Sequence, residues 1–275
     1  MSAIRPALRL AALAAATTAA AAAAPTASVA SAKSPASAAP PRTVPARFAT
    51  LAGTSLLRHP PTAIEAPSRT GGATLAGIMA AAEARSRPGA GRRIWRIGTE
   101  TDWSSEPQVL LVMGSAYVRG REWVRLLLPI RPNHTMGWIP RANVVLLHTR
   151  YRVIVGRRSR TVTIDRNGRR LRRFRAVIGK RATPTPAGLA AIYERDPQPD
   201  RNGFLGPWAL PLTILSNALH NFGGGPGRVA IHGRDGASLL NPLGSAASHG
   251  CVRIDNGPIT WMAHHLPQGT PVEIR

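Results

Sequence analysis

The sequence predicts a mainly β protein, with two small β units behind an exported, poorly structured N-terminus. Three observations carry this expectation. From Ile94 onward, short apolar runs alternate with Gly, Pro and polar breaks, the texture of closely spaced short strands. Asp165-Arg166-Asn167-Gly168 separates two strand-like runs, and Asn-Gly accepts the positive φ of a tight hairpin. One late segment, from Asn256 to about His265, starts as a helix does, with a capping Asn and Pro258 in the first turn.

Taken in chain order, Arg5 and Arg9 give a positive start to an uncharged Ala/Leu-rich run that ends near Ala24. Ala22–Ala24 and Ser28-Val29-Ala30 offer small-residue cleavage points, so residues 1–30 are expected to be a secretory signal peptide. A run so rich in Ala partitions weakly into hydrocarbon, and no other stretch reaches about 18 uncharged apolar residues. No transmembrane span is therefore expected in the mature chain. Residues 31–93, dominated by Ala, Pro, Ser, Thr and Arg, bury too little apolar surface to offset ordering entropy and read as a Pro-stiffened linker. Leu75–Ala84 has room for one or two helical turns.

Residues 94–148 are expected to form a small β barrel from Val109–Met113, Glu122–Leu128 and Gly137–Ile139, with Trp95, Trp103, Trp123 and Trp138 as its core. Trp123-Val124-Arg125-Leu126 and Gly137-Trp138-Ile139-Pro140 resemble bacterial SH3-like envelope domains. Residues 149–275 form the second unit. Tyr151–Val155, Thr161–Ile164 and Leu171–Ile178 are its first strands. Thr183-Pro184-Thr185-Pro186-Ala187-Gly188 is an extended loop with its φ angles restricted by proline, and Gly188–Tyr193 follows as a strand. Gly203–Trp208 is a Gly/Pro loop with two aromatics, Arg228–His232 a strand ending on a histidine, and Pro271–Ile274 a closing strand.

The 275 residues carry one cysteine and a formal net charge of +23. A single cysteine excludes a disulfide scaffold and a four-cysteine zinc site. Lys33 and Lys180 are the only lysines, so the basic excess is arginine. An Arg-, Ala- and Pro-rich composition follows equally from a GC-rich genome, and an exported chain does not meet nucleic acid. An anionic envelope polymer is the partner class the charge leaves open.

The chemistry lies in Ser248-His249-Gly250-Cys251-Val252-Arg253, with His232 upstream at its strand end. A lone cysteine is more often a buried small hydrophobe, and a strand-end histidine a satisfied polar residue. Their coincidence in an exported chain points instead to a nucleophile. A thiol attacks as thiolate, and its ordinary pKa of about 8.5 leaves little ionised at neutral pH. A histidine takes the proton, and a third group fixes its tautomer. His232 is the preferred base, with His249 the alternative. Gly250 leaves room for backbone amides to approach a developing oxyanion. Arg253, two residues along a strand, faces the same way as Cys251 and suits a substrate carboxylate. His232, His249 and Cys251 could also meet at zinc, but neither a His-x-His nor a carboxylate-rich spacing supports one, and no metal or cofactor is expected.

That segment, with Asn256 after it and His232 before it, resembles the signature of L,D-transpeptidases with the YkuD-type catalytic domain. The resemblance covers about Tyr151 to Arg275. It implies a β-sandwich-like domain that cross-links peptidoglycan stem peptides through their third residues, without a cofactor, and that carbapenem-type β-lactams acylate. It implies Cys251 as nucleophile and His232 as base, oriented by the Gly233 carbonyl. His249 and Gly250 would line the oxyanion hole, Arg253 would hold a carboxylate, and Ser248 and Asn256 would shape the substrate loop. Family members often carry Phe two residues after the glycine of the Thr-Pro-x-Gly segment, where this chain has Ala190. Papain-like and NlpC/P60-like peptidases run Cys before His, the reverse of this order; sortases separate the two much further. A carboxypeptidase, a protein-anchoring variant, or a wall-binding protein without catalysis are the alternatives.

Overall fold

The computed structural model describes residues 44–221 and 225–275. The expected signal peptide and residues 31–43 of the expected linker lie outside the described residues. The rest of that linker is not a tether. A four-residue helix α1 (Ala46–Ala49) buries Phe48 at 1% exposure, and strands follow.

The first sheet contains β1 (Thr54–Leu56), β2 (Ala73–Ile78), β3 (Ala82–Arg85), β4 (Arg93–Ile97), β5 (Val109–Val118), β6 (Arg121–Leu127), β7 (Met136–Pro140) and β8 (Val144–Thr149). Its order is β1-β8-β2-β5-β6-β7-β3-β4. Two expectations fail here. Residues 44–93 supply four elements before β4, and Leu75–Ala84 is strand, turn and strand rather than helix. The reason is non-local. β2 is poor in bulky residues, but it sits between β8 and β5, which pair with its backbone and cover Leu75, Ala76 and Ile78. The barrel expected over 94–148 is thus part of a larger eight-stranded sheet that begins at Thr54. Of the four tryptophans expected in its core, Trp123 is buried, Trp95 and Trp138 are half-buried, and Trp103 is 51% exposed.

The second half contains β9 (Tyr151–Gly156), β10 (Thr161–Arg166), β11 (Arg169–Arg175), β12 (Ile178–Gly179), β13 (Gly188–Ala191), β14 (Asp196–Pro197), β15 (Trp208–Leu215), β16 (Arg228–His232), β17 (Ala246–Ser248), β18 (Val252–Arg253), α2 (Asn256–His265) and β19 (Pro271–Ile274). The Asn-Gly hairpin forms as expected: Asn167 and Gly168 have φ of 53° and 73° and join β10 to β11.

One sheet runs β11-β10-β9-β19-β13 and a second β14-β15-β16-β18. They share a core with Val153, Val155, Val162 and Ile164 from the first and Leu210, Leu212, Val229 and Ile231 from the second. Helix α2 adds Ile259, Met262 and Ala263 to that core. This is the mainly β, sandwich-like architecture expected for the second half. It places β16 and β18 side by side and parallel, with Ile231 opposite Val252 and His232 opposite Arg253.

Candidate active site

β16 and β18 bring His232 and the Cys251 segment together from positions 19 residues apart in sequence. β16 is apolar because its neighbours bury it, and it ends on a histidine that is 1% exposed. The Nδ1 atom of His232 lies 2.7 Å from the Gly233 carbonyl oxygen, the contact the resemblance implied. A carbonyl only accepts, so Nδ1 carries the proton and Nε2 is left with the basic lone pair. Gly233 allows this return of the chain because any Cβ there would meet Asn256 Oδ1 at 2.4 Å.

Burial pushes His232 down to about 4, and the Arg253 charge acts the same way. The Gly233 and Leu205 backbones oppose that shift. Burial also pushes the half-buried Cys251 thiol up, against a hydrogen bond with the Ala230 backbone and the pull of the Arg253 charge. Both shifts favour the uncharged forms. At neutral pH the two groups are therefore a neutral thiol and a neutral imidazole.

The loop before Cys251 is held from within. The Ser248 hydroxyl, fully buried, donates to Cys251 O at 2.6 Å and accepts from Gly250 N at 3.1 Å. Gly250 has φ of +123°, a region that L side chains rarely adopt. Its carbonyl accepts from Thr185 Oγ1 at 2.8 Å, while the Thr183 hydroxyl donates to Ser248 O at 3.3 Å. The Thr-Pro-Thr-Pro loop thus clamps the cysteine loop, a role missed at the sequence level. The alternation of Thr183 and Thr185 in an extended stretch was the only signal for it.

Three expectations change. Gly250, expected to line an oxyanion hole, has its amide bonded to Ser248 Oγ at 3.1 Å. Arg253, expected to hold a substrate carboxylate, is 4% exposed; its Nη1 donates to Asn241 Oδ1 at 2.8 Å and its guanidinium packs 4.6 Å from the Phe204 ring centre. The Arg253 charge acts on Cys251, drawing its thiol toward ionisation. Asn256, expected to cap α2, does not: Asp255 holds the cap position, and Asn256 Oδ1 accepts from Arg234 N at 2.9 Å. That bond pins the turn after His232. His249 is exposed, its Nε2 3.5 Å from Lys180 Nζ at the rim of the site. Phe204, 46% exposed and 6.3 Å from the His232 ring centre, forms another part of the rim.

Comparison with known proteins gives a consistent picture. Residues 150–274 match the family model for YkuD, the L,D-transpeptidase catalytic domain. A Bacillus licheniformis protein described as an L,D-transpeptidase YkuD is 31% identical over 124 residues, 45% of this chain and 65% of the relative. Its Bacillus subtilis counterpart is 29% identical over 124 residues, with the same shares. The chain thus spans just under two-thirds of these curated relatives. The solved catalytic domain of an L,D-transpeptidase from E. faecium aligns at 19% identity and a TM-score of 0.35, covering 46% of this chain and 96% of that one. Residues 150–274, which hold His232 at the end of β16 and Cys251 just before β18, are thus similar over their whole length to the YkuD L,D-transpeptidase catalytic domain.

Proposed function

We propose that the protein is an L,D-transpeptidase that forms cross-links between the third residues of peptidoglycan stems through a Cys251 thioester. The observation that supports this most is the tautomer of His232: Nδ1–H is committed to Gly233 O, leaving Nε2 basic on the strand beside Cys251. The thiol proton passes to Nε2 as sulfur attacks the carbonyl between the third residue and the terminal D-residue of a donor stem. The imidazolium returns that proton to the departing amine, and a thioester remains. A side-chain amine of a second stem then attacks, gives its proton to His232, and expels the Cys251 thiolate.

This activity needs an exported protein, which fits the Arg5/Arg9 start and the Ala-rich run behind it. Among the described residues no helix is long and apolar enough to cross a membrane. In this reading a carbapenem acylates Cys251, the sole cysteine. Intact-mass spectrometry of the full chain with a carbapenem is expected to show one covalent adduct, absent in Cys251→Ala, together with loss of cross-linking in that variant. Cross-linking that persists in purified Cys251→Ala sinks the assignment. Release of the terminal D-residue without a cross-linked product would redirect it to a carboxypeptidase.

A further inference from the structure

The hairpin β10–β11 carries a feature that the cysteine chemistry does not use. β11 reads Arg169-Arg170-Leu171-Arg172-Arg173-Phe174-Arg175 and is exposed along nearly its whole length at the edge of its sheet. Register sorts these side chains between two faces. Val162 and Ile164 of β10 face the core, so Phe174 and Arg172, opposite them, lie on the inner side. Arg172 packs there over the Trp261 ring at 4.5 Å. Arg175, Arg173 and Arg170 stand opposite Thr161, Thr163 and Asp165, on the outer side.

That outer side holds a shallow trough of about 350 Å³, lined by Ser159, Thr161, Thr163, Arg170, Arg173 and Arg275 among others. Asp165 also lines it, and Glu273 is shared among Arg69, Arg152 and Arg275 at 4.0, 3.3 and 3.8 Å. Among the described residues neither Arg170 nor Arg173 has an ion-pair partner, so their charge is available. Arg175 continues the row toward Gly244, where its guanidinium packs close to the backbone.

We propose that this trough binds a linear polyol-phosphate polymer, one phosphodiester per arginine along the strand. Guanidinium forks match phosphate oxygens two by two, and the Thr163 hydroxyl beside them adds a donor, while the Ser159 and Thr161 hydroxyls bond to each other at 2.8 Å. Alternate residues of a strand stand about 7 Å apart, a spacing that suits a flexible chain with one phosphate per short polyol unit. Single-stranded nucleic acid needs stacking platforms as well. The aromatic side chains near this sheet, Tyr151, Phe174 and Trp261, all pack on the core side. A backbone of phosphates without bases is what the outer face fits. A row of arginines on an edge strand also blocks edge-to-edge pairing, a role that requires no ligand, so the test must read binding.

The test is fluorescence anisotropy of labelled poly(glycerol phosphate) with the full chain across a range of salt. Replacing Arg170, Arg173 and Arg175 together with Gln is expected to weaken binding about tenfold at about 0.1 M salt and to lower the salt slope by about two to three. Replacing the exposed Arg87, Arg92 and Arg93 with Gln, which removes the same charge elsewhere, is expected to change binding less than twofold. Equal losses in both triples, no binding by the parent chain, or tighter binding of single-stranded DNA of equal phosphate number would each overturn the proposal. Should the hairpin triple fail to fold by circular dichroism, Arg173→Gln alone is expected to weaken binding by about threefold, and no change overturns the proposal. Carbapenem acylation of Cys251 stays unchanged in the hairpin variants, so the two readings fail separately.

Discussion

At the residue scale, the site depends on two ionisable groups held in their neutral forms. His232 is buried, so its imidazolium has lost hydration that Gly233 and Leu205 replace only in part. With a folded pKa of about 4 against 6.5 for the free side chain, the unfolded chain binds the extra proton between those values. Stability therefore rises with pH across that window, is fully present above about 6.5, and is lost as pH falls toward 4. The shift corresponds to about 3 kcal/mol. Urea unfolding at pH 6.5 and at pH 4.5 is expected to show this loss in the parent chain and a flatter dependence in His232→Gln; equal slopes would remove His232 as the cause. The same variant is expected to slow acylation by about 10² to 10⁴, the usual worth of a positioned base.

At the element scale, the two short strands β16 and β18 do the positioning and the Ser248–Cys251 loop sets the thiol. Ser248 joins Gly250 N and Cys251 O through one hydroxyl. Ser248→Ala leaves both backbone groups unpaired in a buried loop, at a cost of about 1–3 kcal/mol. The melting temperature is expected to fall by several degrees, with acylation slowed about tenfold or more. Ser248→Thr, which restores the hydroxyl, is expected to recover part of both. Recovery of stability without recovery of rate would show that the hydroxyl serves folding alone. The sequence named this loop through Cys251 and its neighbours, but not what braces it. Thr183 and Thr185 lie more than sixty residues away in sequence, and only folding brings their hydroxyls to the loop.

At the scale of the whole molecule, the loop between β4 and β5 docks on the second half of the chain. Glu194, fully buried, accepts from Trp103 N at 3.0 Å, from the Ser104 hydroxyl at 2.7 Å and from the Ser104 amide. Nearby, Arg195 pairs with Glu106 at 2.9 Å, and the Tyr193 hydroxyl donates to Asp102 at 2.8 Å. Arg228 packs over the Trp103 and Tyr193 rings at 5.8 and 4.8 Å. This explains why Trp103 is not a core residue of its own sheet: it is a contact residue for the other half. Glu194→Ala takes the acceptor from three part-buried donors on Trp103 and Ser104 and is expected to cost about 3 kcal/mol. Thermal unfolding is expected to shift down by about 10 °C as one transition, with Trp103 emission moving to the red. An unchanged midpoint would mean that the two halves do not rely on this junction.

Much of this was legible because it is local. The Asn-Gly hairpin and the helix near 256–265 follow from turn chemistry and from Pro258 in a first turn, although the cap falls on Asp255, and the Cys251 segment stands out as the sole cysteine with its immediate neighbours. The strands of residues 54–85, the burial of Arg253 against Phe204 and Asn241, and the docking of Trp103 on the second half could not be read this way. Sequence by itself determined which residues could do chemistry and which way they order along the chain. Tertiary structure alone decided which of their polar groups are still free to do it. Burial, pairing and charge at each group are set by partners tens of residues away, and those partners leave no local mark in the pattern.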